Sequence, residues 1–278
     1  MSRHPSSPGA PPDGAGGRPR PAFPARLGSV VAAPTAPVRG QAQVSSSSVA
    51  RAPTKAPIPA VTGTGLDSAA FRQAMVRKLV AQGLQNPRVQ QAFATVERHR
   101  FVDSALVPQA YEDTSLPIGL GQTISKPSVV GRMLELLCEG QTMPMGRVLE
   151  IGTGCGYQAA LLSHLATEVY SMERLRGLHD KARENLRPMR LPNVHLILGD
   201  GMLGFPSGAP YAGIVSAAGG EAIPQTWLDQ LAVGGRLVAP AELSPGRQSL
   251  VVIDRTPNGY VRNILEAVLF VPLKSGVA

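Results

Sequence analysis

From Arg147 onward, short apolar runs alternate with longer amphipathic stretches along the chain. The apolar runs predict strands at 147–151, 168–172, 194–198, 211–216, 235–239, 249–253 and near 263–271. Helix-length segments separate the early runs, and this alternation is typical of a parallel, doubly wound sheet. We therefore expect an α/β fold with a Rossmann-like, seven-stranded, mostly parallel sheet and helices on both faces.

The segment before the sheet predicts an N-terminal helical cap. Its apolar spacing indicates three helices, over 67–83, 86–99 and 128–137. In the second helix, Asn86 is placed to cap the first turn and Pro87 to occupy the first helical position. The stretch 101–127 is rich in glycine, proline and polar residues, and we interpret it as a loop.

The first 66 residues predict a disordered tail. They consist mainly of Pro, Ala, Gly and Ser without an apolar period, so burial could not offset the entropy of ordering them. They hold seven Lys or Arg and a single acid, Asp13, whereas residues 67–278 hold 20 basic and 18 acidic residues. The tail contains no run of like charges, and we expect no specific nucleic-acid partner. Residues 67–278 are expected to form one domain.

The hydrophobic stretches and the cysteines of the chain bear on the cellular compartment that we expect for it. No stretch approaches the ~18 apolar residues of a membrane span, and no secretory signal is recognisable. Cys138 and Cys155 provide neither a disulfide framework nor a metal-ligand pattern, so we expect no metal site. These features favour a reduced, cytoplasmic protein without membrane contact, and we expect a monomer.

The first predicted strand runs into a loop with glycine at every second position, Gly152, Gly154 and Gly156. Glycine lets a backbone approach a ligand closely, but a dinucleotide-binding loop spaces its glycines G-x-G-x-x-G. Glu150, near the strand end, would repel a pyrophosphate and attract a ligand with a positively charged tail. The alternative is a tight strand–helix turn of the kind found in any α/β protein.

Two further acids follow the next predicted strands. Glu173 ends the second strand, where a carboxylate can accept hydrogen bonds from two ribose hydroxyls. Asp200 follows the third strand, where it can meet an adenine amino group. Alternatively, Glu173 is a solvated acid at a helix start and Asp200 an ordinary turn residue. Three acids around one crevice favour adenosine with a positive tail and no phosphate, which is S-adenosylmethionine.

Several longer motifs resemble the protein-L-isoaspartate O-methyltransferase family. They are RFVD at 100–103, LPIGLGQTIS at 116–125 and VLEIGTGCGYQAALLSHL at 148–165. The likeness covers about 67–273 and includes EVYSMER, GDG and AVLFVPL. It implies methyl transfer from S-adenosylmethionine to the free carboxylate of isoaspartyl and D-aspartyl residues in damaged proteins and peptides.

The resemblance also implies roles for individual residues. Ser125 matches the active-site serine of the family's T-I-S-x-P motif. The implied cofactor positions are Thr123, Ile124, Glu150, Gly152, Gly154, Gly156, Glu173, Asp200 and Gly201. The implied substrate positions are Asp113, Ile118 and Ser125. Departures from the pattern lie near the predicted rim of the site, at Lys126, the pair Gly219 and Gly220, and Lys274.

The expected chemistry needs little from the protein. A carboxylate, with a pKa near ~4, is already ionised at neutral pH, so no general base is required. Ser125 would hold the acceptor; alternatively, it only caps the helix that follows. Three other functions remain open: a related methyltransferase acting on RNA or a small molecule, a noncatalytic binding module of the same fold, and a nucleic-acid-associated protein with a basic tail.

Overall fold

The computed structural model describes residues 69–278 of the chain. The tail predicted over 1–66 lies outside the described residues, as do Asp67 and Ser68 at the start of the first predicted helix. Among the helices of the described part, none is long and apolar enough to cross a membrane.

Within residues 69–278 the chain forms six α-helices and nine strands. The helices are α1 (Ala69–Ala81), α2 (Pro87–Thr95), α3 (Pro127–Cys138), α4 (Tyr157–Leu162), α5 (Arg176–Leu186) and α6 (Gln225–Gln230). The strands are β1 (Leu116–Gly119), β2 (Gln122–Ile124), β3 (Met145–Ile151), β4 (Ala166–Glu173), β5 (Val194–Leu198), β6 (Tyr211–Ser216), β7 (Leu231–Ser244), β8 (Arg247–Thr256) and β9 (Gly259–Val268).

The seven-stranded sheet has the order β5-β4-β3-β6-β7-β8-β9. Strands β3 to β7 pair in parallel, and β8 and β9 extend the sheet as an antiparallel meander. The doubly wound, mostly parallel sheet is thus confirmed. The last strand begins earlier than the apolar pattern indicated, because β9 is an edge strand whose residues are mostly exposed and show little alternation.

Two apolar layers cover the two faces of the sheet. Consecutive residues of a strand point to opposite faces, so Val148 packs into one layer while Leu149 and Ile151 pack into the other. Residues of α1 to α5 belong to the first layer. The second contains α6, whose Trp227 is almost fully buried. Helices on both faces, including an N-terminal helical layer, are therefore confirmed.

Helix α2 confirms its predicted start but ends early. Oδ1 of Asn86 accepts hydrogen bonds from the backbone N–H groups of Arg88 and Val89, at 3.0 and 3.3 Å. The helix ends at Thr95 because Val96 adopts an extended conformation and is completely buried. A 3₁₀ turn over 98–101 follows, where the sequence pattern had continued the helix.

The prediction of a loop over 101–127 is wrong for part of that stretch. Strands β1 and β2 form an antiparallel hairpin there. Leu120 and Gly121 turn the chain with positive φ angles of 52° and 70°. Strands of four and three residues, interrupted by glycine and proline, carry too few alternating positions for the pattern to be recognised.

Candidate active site

A cavity of about 490 Å³ lies at the carboxyl ends of the central strands. The β1–β2 hairpin, the glycine loop after β3, the end of β4 and residues 271–274 form its walls. Ligands of doubly wound folds bind at this edge of the sheet. Most of the predicted site residues line it: Ile118, Thr123, Ile124, Ser125, Gly152, Gly154, Glu173 and Gly201.

A second cavity of about 460 Å³ adjoins the first. The two share Thr123, Ser125, Ala217 and Val271. The rest of the second cavity's wall consists of Ser115, Lys126, Val129 and residues 267–270. Ser125 therefore lies on both cavities. Of the departures from the family pattern, Lys274 lines the first cavity and Lys126 the second.

The three loop glycines all require the left-handed backbone region. The φ angles of Gly152, Gly154 and Gly156 are +90°, +55° and +93°. A Cβ atom at Gly154 would lie 3.2 Å from Cδ1 of Ile118, across the cavity edge. At Gly156 it would lie 3.0 Å from Cδ1 of Leu186, so this glycine allows close packing against α5 and does not line the cavity.

Glu173 joins the end of β4 to the glycine loop. Its side chain is buried, and its two carboxylate oxygens accept hydrogen bonds from the N–H groups of Gly154 and Leu175, each at 2.9 Å. The alternative of a solvated surface acid does not fit this burial. Glu173 also lines the cavity, and each oxygen keeps a second lone pair for a ligand.

Glu150 is fully buried and lies outside the cavity lining. The sequence analysis placed this carboxylate beside the positive tail of a ligand; the structure instead directs Oε2 to the Ser171 hydroxyl, at 2.5 Å. Within the described part of the chain, Oε1 is buried without a hydrogen-bond partner, and so is Nε2 of Gln158. Burial raises the pKa of Glu150 to about 8, although Ser171 and Gln158 both act to lower it.

Asp200 is also outside the cavity lining. One carboxylate oxygen accepts a hydrogen bond from the N–H of Met202 at 2.9 Å, and the other from Gly276 at 2.7 Å. The turn interpretation therefore describes its present contacts, and its contact with an adenine amino group stays a prediction. The adjacent Gly201 does line the cavity, where a Cβ atom would lie 2.6 Å from Cγ2 of Ile151.

Ser125 is not the N-cap residue of α3. Lys126 is the N-cap residue of α3, without a side-chain capping bond. Asp113, predicted to bind substrate, instead accepts a hydrogen bond from the N–H of Ser128 at 2.8 Å and lines neither cavity. The hydroxyl of Ser125 makes no hydrogen bond to the described residues, so it is available to a ligand.

The site contains no activated thiolate. Burial raises the pKa of Cys155, on the cavity wall, to about 11, so the thiol is neutral at physiological pH. Among residues 69–278, no cluster of His, Cys, Asp and Glu is suited to holding a metal ion.

The sequence analysis missed Arg98, Tyr157 and Gln158. Tyr157 and Gln158 are buried on the cavity wall, and Arg98 is buried against the ring of Tyr157. Arg98 stands in the charged stretch ERHR, and such a stretch usually indicates an exposed surface. Of the three residues, only Tyr157 could have been predicted from the sequence, because it directly follows the glycine loop.

Solved structures share this architecture. A protein-L-isoaspartate O-methyltransferase structure superposes with a TM-score of 0.67 and 29% identity, covering 74% of this chain and 67% of that chain. A Plasmodium falciparum structure described as a putative enzyme of the same type, in complex with S-adenosyl-L-homocysteine, gives a TM-score of 0.63 at 23% identity, covering 73% and 98%. The fold and its cavity define a Rossmann-like methyltransferase.

The family is shown by sequence. The family model described as protein-L-isoaspartate(D-aspartate) O-methyltransferase matches residues 70–278. The protein-L-isoaspartate O-methyltransferase of Methylibium petroleiphilum is 55% identical over 271 residues, 94% of this chain and 98% of that protein. That of Leptothrix cholodnii is 59% identical over 224 residues, 79% of each chain. This chain belongs to the protein-L-isoaspartate(D-aspartate) O-methyltransferase family.

Proposed function

We propose that this protein transfers a methyl group from S-adenosylmethionine to the free α-carboxylate of L-isoaspartyl residues, and of D-aspartyl residues, in damaged proteins and peptides. The observation that carries the proposal is the position of Ser125, which lines both cavities and whose hydroxyl makes no hydrogen bond within residues 69–278. One cavity adjoins the glycine loop and fits the methyl donor; the other is open to a peptide. We further propose that S-adenosyl-L-homocysteine is the second product.

The residues of the first cavity fit this donor. Its volume of about 490 Å³ lies within the range of roughly 300–1,000 Å³ of small-molecule sites. Gly152 and Gly154 leave two positions of the cavity wall without a side chain, so a ligand can approach the backbone there. Glu173 offers free lone pairs at the wall. A carboxylate at this wall favours a cationic ligand without phosphate.

The chain's own residues need only align and shield the reactants. S-adenosylmethionine supplies a methyl group already activated on a sulfonium. Ser125 donates a hydrogen bond that orients the acceptor carboxylate, which attacks through oxygen without losing a proton. The β1–β2 hairpin, whose own Ile118 and Ile124 are buried and line the donor cavity, excludes water from it. Because the acceptor is ionised, no general base is needed.

The methyl ester formed in this reaction leads to repair of the damaged protein without a second catalyst. The backbone amide nitrogen of the next residue attacks the α-carbonyl carbon and expels the methoxy group as methanol. Methoxide leaves far more readily than the oxygen of a free carboxylate, so the succinimide closes more rapidly. Hydrolysis of the succinimide returns part of the material to normal aspartyl linkage.

We also propose that the protein acts as a monomer in the cytoplasm. Both cavities are built from a single chain, and Cys138 and Cys155 are buried and unpaired, which fits a reducing compartment. Light scattering across a concentration series tests the monomer; a mass twice that of the chain would contradict it.

The decisive experiment is methyl transfer from labelled S-adenosylmethionine to two peptides that differ only in isoaspartyl or aspartyl linkage. We expect label in the isoaspartyl peptide alone, released by mild base because it is an ester. Total RNA serves as a competing acceptor. Equal labelling of both peptides, label that survives base, or preferential labelling of RNA would overturn the proposal.

A further inference from the structure

Arg98 is a completely buried arginine that the proposed reaction does not yet use. None of the ion pairs among the described residues includes it. Its Nη2 donates hydrogen bonds to two carbonyl groups, but Nε and Nη1 are buried and have no hydrogen-bond partner among residues 69–278. An uncompensated buried charge is strongly unfavourable, so its presence calls for a functional explanation.

Arg98 lines neither cavity, but its two carbonyl contacts place its charge directly behind the backbone of Ser125, which lines both. Nη2 lies 2.8 Å from the carbonyl oxygen of Ser125 and 3.4 Å from that of Thr114. Thr114 precedes β1 and Ser125 follows β2, so Arg98 holds both ends of the hairpin that forms the cavity wall.

The groups around Arg98 compensate its charge only partly. The guanidinium carbon lies 4.9 Å from the centroid of the Tyr157 ring, within the range of a cation–π contact. Burial lowers the pKa of Arg98, and Tyr157, Cys155 and Asp113 act in the opposite direction. Tyr157 and Cys155 are themselves neutral, because burial raises the pKa of each. A guanidinium is not deprotonated in proteins, so Arg98 stays positive.

We propose that Arg98 is a positioning residue that makes the acceptor pocket selective for an anion. It holds the carbonyl of Ser125 in place, and the acceptor carboxylate, bound at the hydroxyl of the same residue, supplies the negative charge that Arg98 lacks. This inference rests on the proposed function and adds to it a reason why a carboxylate is preferred over a neutral amide of the same shape.

The charge changes during methyl transfer determine which kinetic constant the charge of Arg98 should affect. An oxygen–carbon bond forms and the carbon–sulfur bond breaks with its electron pair moving to sulfur, so carboxylate and sulfonium both become neutral. The attraction of Arg98 for the acceptor is therefore stronger before transfer than in the transition state. Its removal should weaken substrate binding more than it slows the chemical step.

The test compares Arg98→Gln and Arg98→Lys with a matched control, Arg236→Gln. Arg236 is paired with Asp254 and Glu139 and lines neither cavity. Affinities for an isoaspartyl peptide and its isoasparagine analogue are measured with S-adenosyl-L-homocysteine bound, and kcat and KM with the isoaspartyl peptide. For Arg98→Gln we expect an about tenfold loss of preference for the acid and an about tenfold higher KM.

The same change should alter kcat by less than about threefold, and Arg98→Lys and Arg236→Gln should keep the preference for the acid. An unchanged preference in Arg98→Gln, an equal loss in Arg98→Lys, or a lower kcat at constant KM would overturn the proposal. A wild type that fails to methylate the isoaspartyl peptide would instead remove the proposed function itself.

A measurement on the wild type covers the case in which Arg98→Gln does not fold. An isoaspartyl peptide with a ¹³C-labelled α-carboxyl is titrated by NMR, free and bound to the protein with S-adenosyl-L-homocysteine. We expect the pKa of the bound carboxyl to fall by about one unit, because a nearby positive charge favours its ionised form. An unchanged or raised pKa contradicts the proposal.

Discussion

At the scale of single residues, Asp113 takes over a capping contact at α3, so the Ser125 side chain is not needed for it. Asp113 accepts the hydrogen bond from the N–H of Ser128 that an N-cap side chain would otherwise take. Ser125, two residues before the start of α3 at Pro127, is then not needed as a cap, and its hydroxyl is unbonded.

We therefore expect Ser125→Ala to lower methyl transfer without lowering stability. The lost hydrogen bond to a charged acceptor is worth roughly 1.5–3 kcal/mol, so turnover should fall about ten- to a hundredfold. Melting temperature and affinity for S-adenosyl-L-homocysteine should remain close to wild type. The neighbouring Ser128→Ala is the control and should retain full turnover. Wild-type turnover in Ser125→Ala would refute the assigned role.

Glu150 makes stability depend on pH. Its pKa is about 8 in the folded chain and near 4.5 when unfolded. Between these values the folded state binds more protons, so the free energy of unfolding should fall as pH rises, by at most about 1.4 kcal/mol per pH unit. Glu150→Gln should flatten this slope and be more stable than wild type at pH ~8. Urea unfolding at several pH values measures the slope.

The control for this measurement is Glu266→Gln, which changes a half-exposed carboxylate on β9. It should leave the slope unaltered. A Glu150→Gln variant with the wild-type slope would show that Glu150 is ionised in the folded protein at neutral pH.

At the scale of elements, Glu173 connects the end of β4, the glycine loop and the start of α5 through two backbone N–H groups. Glu173→Ala leaves both N–H groups without their partner. We expect a loss of stability of about 1–3 kcal/mol and, through the loosened loop and the lost ribose acceptor, cofactor binding weaker by one to two orders of magnitude. Calorimetry and thermal unfolding measure the two effects.

The variant Glu173→Gln separates the effect on stability from the effect on cofactor affinity, because its single amide oxygen can still accept one of the two hydrogen bonds. We expect it to recover part of the stability but little of the affinity. Glu184→Ala, an exposed acid of α5, should change neither. A Glu173→Ala variant with normal stability and affinity would refute both roles assigned to this carboxylate.

At the scale of the whole molecule, residues 1–66 have no apolar period that could dock on a folded domain. We expect a chain that begins at residue 67 to retain the melting temperature and methyl transfer of the full chain. The two chains are compared under the same conditions, with the full chain as control. Aggregation of the shortened chain, or loss of most of its activity, would show that the tail contributes to the fold.

The sequence alone determined the approximate positions of strands β3 to β8, the glycine loop and the cap of α2, because each depends on neighbouring residues. Alternation of apolar residues specifies which strand faces are buried. A glycine at a position of positive φ, or an asparagine before a helix, acts within a few residues of its own place. The motif at 116–125 likewise indicated the family without any knowledge of distant contacts, and the role that it predicts for Ser125 stays a prediction.

The tertiary structure alone decided what surrounds the charged residues. Glu150 and Arg98 are fully buried because elements far apart in sequence pack around them. From the sequence alone, charged residues are expected to be exposed. Asp200 is held by Gly276, 76 positions away, and Arg98 by Ser125, 27 positions away. Local patterns contain no information on such pairings, since burial and partners are set only when the layers of the fold close on one another.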